Sequence, residues 1–442
     1  MLKNLNAVIQ NLSPNLRKIL SNTSWLIADR VLRMTVSFVV LAWMARYLGA
    51  DQFGLLNYAG ALVAIFSTLA QLGLYQIVVR DLVSEPSSKD EILGTAFCLR
   101  LTSGISAFLL GTGIIFLLRP DDSLSRTVVI IIAAGLLLQE FEVIDFWFES
   151  QVQSKYSVLT KNTAFIIMTV VKIVLIQLQA PLIAFAWAVL VENALTIISS
   201  VIAYQVSGQK IQAWRSQWQL AKKLMKVSWP LILSNLAIMV YVRIDQVMLG
   251  QLANDDAVGI YSAAVRISES WFFLTISLIN SFKPSIIEAK RFSEKQYYER
   301  IQKVCSLLAL LVYCVAIPMT FLSTPLIVLA FGKHYAPAGL VLSVHIWSSM
   351  FSCFGVIKDT WIAVEGLTSY ALSISILGAL MNILLNFWLI PIYGAMGAAV
   401  ATVVSYGFTD YITCFLYPPA RPMGWVMTKA LSLSNLSNLI RR

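Results

Sequence analysis

The stretch SWLIADRVLRMTVSFVVLAWMARYLGADQFGLLNYA, residues 24–59, decides the fold. It reads as an apolar helix with charges near its start, a short turn containing glycine, and the opening of a second apolar helix. Residues 228–264, SWPLILSNLAIMVYVRIDQVMLGQLANDDAVGIYSAA, repeat the plan. Both copies open on Ser-Trp; Gly54 lies 29 positions after Trp25, and Gly259 lies 30 after Trp229. A repeat displaced by about 205 residues in an apolar chain is the mark of transporters built from two related bundles. A second match supports it. Pro181 is followed by Ala184, Ala186 and Ala188, and Pro391 by Ala395, Gly397 and Ala399, small residues that let helix backbones approach closely in lipid.

Composition points the same way. Of 442 residues, 58% are apolar and 13% charged, with a mean hydropathy of +0.74. Soluble domains carry roughly 25% charged residues, so lipid is the expected solvent, where a mid-bilayer charge costs several kcal/mol. Lys3, Arg17 and Lys18 precede any apolar core, so no secretory leader is expected and the first hydrophobic helix is retained. The five cysteines have no CxxC spacing and read as small buried thiols. There is no GxxxxGK[ST] loop for ATP hydrolysis, and His334 and His345 have no HExxH context. Asp121-Asp122 and Asp255-Asp256 sit in short loops, facing water. A membrane polymerase or ligase of glycans needs a large outer loop for its catalytic groups; every outer loop here is short. An enzyme is therefore not expected.

The predicted fold is all-α and integral to the membrane, with twelve transmembrane helices in two pseudo-symmetric six-helix bundles. The expected spans are 24–47, 53–79, 92–118, 126–148, 156–178 and 181–204, then 227–249, 258–282, 301–322, 337–361, 368–390 and 393–417, each near or above the ~20 residues a bilayer needs. The short apolar run Pro325 to Phe331 is assigned to a loop. The domain plan is a cytoplasmic amphipathic lead (1–23), a first bundle (24–205), a basic cytoplasmic linker (206–226), a second bundle (227–417) and a cytoplasmic tail (418–442) with interfacial character. With the N-terminus inside, 23 of the 33 Lys and Arg fall on the cytoplasmic side and 4 outside, with Lys358 counted among the former and Arg46 and Arg119 among the latter. That asymmetry predicts both termini inside. It also accounts for the net charge of +10 without nucleic acid.

The run Ala45-Arg46-Tyr47-Leu48-Gly49-Ala50-Asp51-Gln52-Phe53-Gly54, after a helix opening Asn22-Thr23-Ser24-Trp25, resembles the polysaccharide-biosynthesis branch of the multidrug/oligosaccharidyl-lipid/polysaccharide exporter superfamily. So do Asp145-Phe146-Trp147-Phe148-Glu149 before Lys155, and Asp245 followed by Gly259-Ile260-Tyr261. The resemblance covers essentially the whole chain. It implies a V-shaped pair of bundles opening alternately to either side of a bacterial inner membrane, with a central polar cavity and a gap that leaves a polyprenyl tail in lipid. It implies a Wzx-type flippase of polyprenyl-pyrophosphate-linked oligosaccharide, with no cofactor beyond an ion gradient or membrane potential. Its partners would be the lipid-linked oligosaccharide, membrane lipids, and the polysaccharide polymerase and glycosyltransferases of the same pathway. The rival is a cation-coupled multidrug or small-molecule exporter of the same fold. Lipid II flippases of the superfamily carry two additional helices that are not found here.

Charges inside spans are candidate sites, because they face a bundle interior or a watery cavity. The basic ones are Arg30, Arg33, Arg100, Lys172, Arg243 and Arg266; the acidic ones are Asp29, Glu140, Glu142, Glu192, Asp245 and Glu269. Arg30 and Arg33 lie on one helix face, roughly 8 and 12 Å beyond Trp25, and Arg266 lies roughly 12 Å in from the opposite side. Pyrophosphate suits arginine forks, so Arg30, Arg33, Arg266 and Arg243 are the candidate substrate-binding residues. Asp29, Glu192, Asp245 and Glu269 are the candidates for a coupling ion. The competing reading is internal ion pairing: Asp29 with Arg30, Arg243 with Asp245, Arg266 with Glu269, Lys172 with Glu192. Trp43, Trp147, Trp187, Trp271 and Trp388 read as packing or interfacial anchors more readily than as sugar-stacking residues.

Overall fold

The computed structural model describes residues 14–153 and 155–432, with side chains from Arg33 onward, Thr368 excepted. In chain order the helices are α1 (Pro14–Gln71), α2 (Tyr75–Ser84), α3 (Lys89–Leu118), α4 (Ser123–Gln139), α5 (Val143–Ser150), α6 (Lys155–Gln177) and α7 (Leu182–Val206) in the first half. The second half has α8 (Trp218–Leu252), α9 (Asp255–Ser270), α10 (Phe272–Phe292), α11 (Glu294–Phe331), α12 (Pro337–His345), α13 (Ser348–Glu365), α14 (Thr368–Tyr393), α15 (Ala395–Gly407), α16 (Thr413–Leu416) and α17 (Arg421–Leu431). No strand occurs among the described residues.

Eleven described stretches are long and apolar enough to cross a membrane, and the first, Arg33–Ser84, is 52 residues long. It supplies two crossings, because α1 turns at Gly49, whose φ of 74° and ψ of 171° suit glycine and not an L side chain. Leu41 and Met44 line one cavity together with Leu56, Gly60 and Ala64. On a straight helix Leu41 and Ala64 would be roughly 35 Å apart. The chain is thus a multi-pass membrane protein with twelve spans in two six-helix halves.

Helix breaks repeat along with the sequence. In the first half, α1 gives way to α2 at Leu72 and Gly73, both with positive φ, and α4 gives way to α5 through a 3-10 turn at Glu140–Glu142. In the second, α9 and α10 meet at Trp271, and α12 and α13 meet at Ile346 and Trp347. Phe141 and Ile346 are 205 positions apart, the same offset as Gly54 and Gly259.

A broken helix frees backbone carbonyls, which lipid cannot satisfy. Each half answers with a buried cation. Arg100, 1% exposed, donates to Gln139 O at 3.0 Å and pairs with Glu140 at 2.9 Å. Gly104 leaves the room, since a Cβ there would lie 2.4 Å from Glu140 Oε1. In the second half Lys358, also 1% exposed, donates to Thr409 O at 2.7 Å and to Asp410 at 2.9 Å. That pair pins the π-helical turn Phe408–Ile412, where the helix begun by α15 is widened to hold one extra residue.

Four expectations need correction. Pro325 to Phe331 is no loop: α11 runs through Phe331 and stops at Gly332, where φ is 94°. Lys358 is no cytoplasmic loop residue but a buried member of α13. Two cysteines, Cys98 and Cys314, are exposed on helix surfaces, while Cys305, Cys353 and Cys414 are buried thiols. The stretch from Arg421 packs inward as α17, burying Met423, Met427 and Ala430, with Tyr313 donating to Leu431 O at 3.1 Å. In addition, residues 218–226 are not loop but the start of α8, with Leu224 buried against first-half residues such as Val78 and Leu93.

Arg100→Ala leaves Glu140 as an uncompensated buried carboxylate and should destabilise the protein by about 3–5 kcal/mol. Thermal unfolding of the purified protein in detergent should show a clear loss of Tm, largely restored in the double variant Arg100→Met/Glu140→Leu.

Candidate functional site between the two halves

One end of the interface is sealed by contacts that small residues permit. A Cβ on Gly54 would lie 1.7 Å from Asp255 O, and one on Gly259 2.0 Å from Ala50 O, so backbone meets backbone. Arg119 then reaches across with both nitrogens at 2.7 Å from Asp255 and donates to Gly250 O at 2.7 Å. Its guanidinium lies 4.2 Å from the Tyr58 ring centroid, and Gln251 donates to Tyr58 at 2.7 Å. Arg46 caps α11 through the carbonyls of Leu329 and Ala330, and Tyr335 donates to Ala45 O at 3.0 Å. Arg46 and Arg119, read as loop charges, are therefore part of a latch between halves.

Deeper from this seal is a cavity of about 340 Å³ walled by both halves, with Asn57 and Lys172 from the first and Arg243, Gln246 and Arg266 from the second. A neighbouring cavity of about 350 Å³ is lined by Arg33, Ser37 and Phe165 together with Arg266. Arg33 lies 5.5 Å from the Phe165 ring centroid. Arg266 is exposed, and it faces both spaces. The structure therefore brings Arg33, Arg243 and Arg266 to one connected basic region. The Arg30 and Asp29 side chains lie outside the described residues.

The competing ion pairs separate cleanly. Lys172 does pair with Glu192, at 2.6 Å between α6 and α7. By contrast, no described carboxylate lies within 4.0 Å of the guanidinium groups of Arg33, Arg243 or Arg266. Asp245 turns away from Arg243 into the second half. There it accepts hydrogen bonds from Thr402 at 2.6 Å, Tyr261 at 2.7 Å and Asn386. It is 2% exposed, and Asn386 also donates to Asn382 at 3.0 Å. This carboxylate with its amide and hydroxyl oxygens is a donor set suited to a proton or a small hard cation. Among the described residues no group of three His, Cys, Asp or Glu side chains is positioned for a metal. Glu269 makes no ion pair and lines a separate space within the second half.

Three arginines without an ion pair among the described residues are costly in a membrane interior unless water or an anion meets them, and arginine forks favour phosphate oxygens. The family model described as "Polysaccharide biosynthesis protein" matches residues 19–270. The chain belongs to this family. The MatE family model also matches, over residues 230–388. A polysaccharide biosynthesis relative from Haloferax volcanii, named a probable low-salt glycan biosynthesis flippase, Agl15, is 22% identical over 416 residues, covering 91% of this chain and 85% of its own. Among solved structures, an inward-facing multidrug resistance MATE family transporter of the MOP superfamily aligns with a TM-score of 0.70 at 14% identity, over 92% of this chain and 96% of that one. The lipid II flippase MurJ, in an inward closed conformation, aligns with a TM-score of 0.69 at 14% identity, over 91% and 89%. These structures share the fold of two six-helix halves. This polysaccharide biosynthesis family member thus shares its fold with proteins named as transporters.

If the latch holds the seal, its removal should loosen that end. In a cysteine-free background carrying Asn57→Cys, a membrane-impermeant maleimide added from the Asp255 side should label slowly. Adding Arg119→Ala should speed labelling several-fold, and an unchanged rate would show that the pair does not hold the seal.

Proposed function

We propose that this protein flips a polyprenyl-pyrophosphate-linked oligosaccharide from the cytoplasmic to the outer leaflet of a bacterial inner membrane, for surface polysaccharide or O-antigen assembly. The observation that carries the reading is that Arg33 from the first half and Arg266 from the second face one cavity with no carboxylate partner among the described residues. A diphosphate held by both would tie the halves together through its charge, and the apolar surroundings, Phe38, Leu41 and Phe165 among them, strengthen that attraction by excluding water. Arg30, Arg33, Arg243 and Arg266 are its binding residues in this reading.

The Lys and Arg asymmetry supports a reading with both termini in the cytoplasm, in which the Gly54–Gly259 seal is on the outer side. The sealed outer end and the arginine cavity beneath it then correspond to the state that receives the lipid from inside. Opening outward requires the backbone contact at Gly54 and Gly259 and the Arg119–Asp255 pair to part while the inner ends close. Asp245 is the coupling residue in this scheme, because its hydrogen bonds join α8, α9, α14 and α15 and a bound proton or cation would change that web. Glu192 is held by Lys172 and so is less free to exchange its ion. The pathway's glycosyltransferases and polymerase would stand before and after the transport step. The MatE match over residues 230–388 favours a cation-coupled exporter instead, but the central arginines repel the cations such a protein carries.

Arg33→Ala/Arg266→Ala should abolish delivery of glycan to the cell surface, measured by blotting of surface polysaccharide, while membrane insertion is unchanged; undiminished delivery would refute the binding role. Impermeant labels should reach cysteines placed at 210–226 only from the cytoplasm and at 255–256 only from outside. The reverse pattern would overturn the orientation.

A further inference from the structure

The second half contains a cavity of about 500 Å³ that the arginine site does not use. It lies within the size range of ligand pockets. Its walls come from α8, α9, α10, α13 and α15, with His345 at the end of α12. It begins where the basic region ends: Val242 follows into Arg243 along α8, and Glu269 is one turn beyond Arg266 on α9, a rise of about 4.5 Å.

Of the polar groups lining this cavity, His345 and Ser268 bond each other and Asp410 is held by Lys358, while several others have no partner among the described residues. Ser348, Ser349 and Ser352 line it, and none of the three hydroxyls makes a hydrogen bond within the protein. Ser277, Ser281, Ser373 and Ser375 instead bond back to the carbonyl four residues earlier at 2.8–2.9 Å; Ser157, Ser228 and Ser262 are single unbonded hydroxyls elsewhere, whereas here three lie around one space. Glu269 and Asp359 also face the cavity, with no ion pair or side-chain hydrogen bond among the described residues. The hydroxyls of Tyr241 and Tyr406 are likewise unbonded, and their rings meet edge to face with centroids 4.9 Å apart. Buried polar groups are normally satisfied; so many left open around one space call for a hydroxyl-rich occupant or for water.

We propose that this cavity is the saccharide subsite for the lipid-linked glycan, selective for neutral or amino sugars. The proposal rests on the flippase reading and adds the class of glycan. Sugar hydroxyls both donate and accept; carboxylates accept from neighbouring pairs of them, serine and tyrosine hydroxyls do either, and tyrosine and phenylalanine rings pack on sugar C–H faces. With diphosphate at Arg266, the first sugars extend past Glu269 into the cavity. The two unpaired carboxylates favour an ammonium and repel a uronate or sialate through a low-dielectric space. The site is thus basic where the lipid's phosphates sit and acidic where its sugars sit.

The test uses the full-length protein in nanodiscs. Saturation-transfer NMR with N-acetylglucosamine, galactosamine and glucuronic acid reads the sugar arm, and phosphorus NMR with methylenediphosphonate reads the phosphate arm. N-acetylglucosamine and galactosamine should receive saturation and glucuronate should not. Asp359→Asn should weaken the first two by about tenfold, as loss of a hydrogen bond to a charged group implies, and Ser352→Trp should block them by filling the space. Diphosphonate binding should survive both variants and disappear in Arg266→Ala. No saturation of either favoured sugar, a preference for glucuronate, or insensitivity to both variants would overturn the saccharide site. Sugar binding without diphosphonate binding would keep the saccharide site and overturn the flippase reading instead.

Discussion

Everything distinctive in this molecule follows from how expensive an unpaired charge is in lipid. Several of its intramembrane charges obey the simple remedy of pairing: Arg100 with Glu140, Lys172 with Glu192, Lys358 with Asp410. Among the described residues Arg33, Arg243 and Arg266 do not, and all three border space between the halves; Glu269 and Asp359 do not either, and both border the second-half cavity. The exceptions mark the cavities. An arginine that pairs has a structural role the fold already explains; one kept unpaired at that cost is set aside for something that comes and goes.

The paired charges serve the same end from a distance. Helices broken at Glu140–Glu142 and at Phe408–Ile412 give each half its shape, and a break in lipid survives only when its freed carbonyls are met. With a single side chain Lys358 meets one carbonyl and one carboxylate, and Arg100 meets one carbonyl and the carboxylates of Glu140 and Glu142. The halves can then move as stiff bodies, with the change of contact confined to the surfaces that carry Gly54, Gly259, Arg119 and Asp255.

The architecture was legible because lipid imposes it: the span lengths, the Ser-Trp repeat and the glycines at 54 and 259 are all visible in the residues. The arginines were legible as residue types, since few explanations exist for them in apolar runs. Their freedom was not, because pairing depends on side-chain direction; Arg243 with Asp245 and Arg266 with Glu269 looked equally eligible, and Asp245 turned instead to Tyr261, Asn386 and Thr402. Lys358 was misplaced for a related reason. Its helix continues to Glu365, and its partner Asp410 is 52 residues away in sequence, beyond the reach of any local pattern. The tryptophans lie as the packing-or-surface reading has them: Trp147 and Trp271 are packed in the body, while Trp43, Trp187 and Trp388 face outward. The aromatic residues on the wall of the second-half cavity are Tyr241, Tyr406, Phe272 and Phe273, which no spacing distinguished from core.

The central claim is that unpaired arginines from both halves hold an anionic lipid head. Native mass spectrometry of the purified protein with undecaprenyl pyrophosphate and with undecaprenyl alcohol tests it most directly, since the two lipids share a tail. The account predicts a strong preference for the pyrophosphate that collapses when Arg33 and Arg266 are both replaced by methionine. Equal binding of the two lipids, or a preference that survives the replacement, would contradict it.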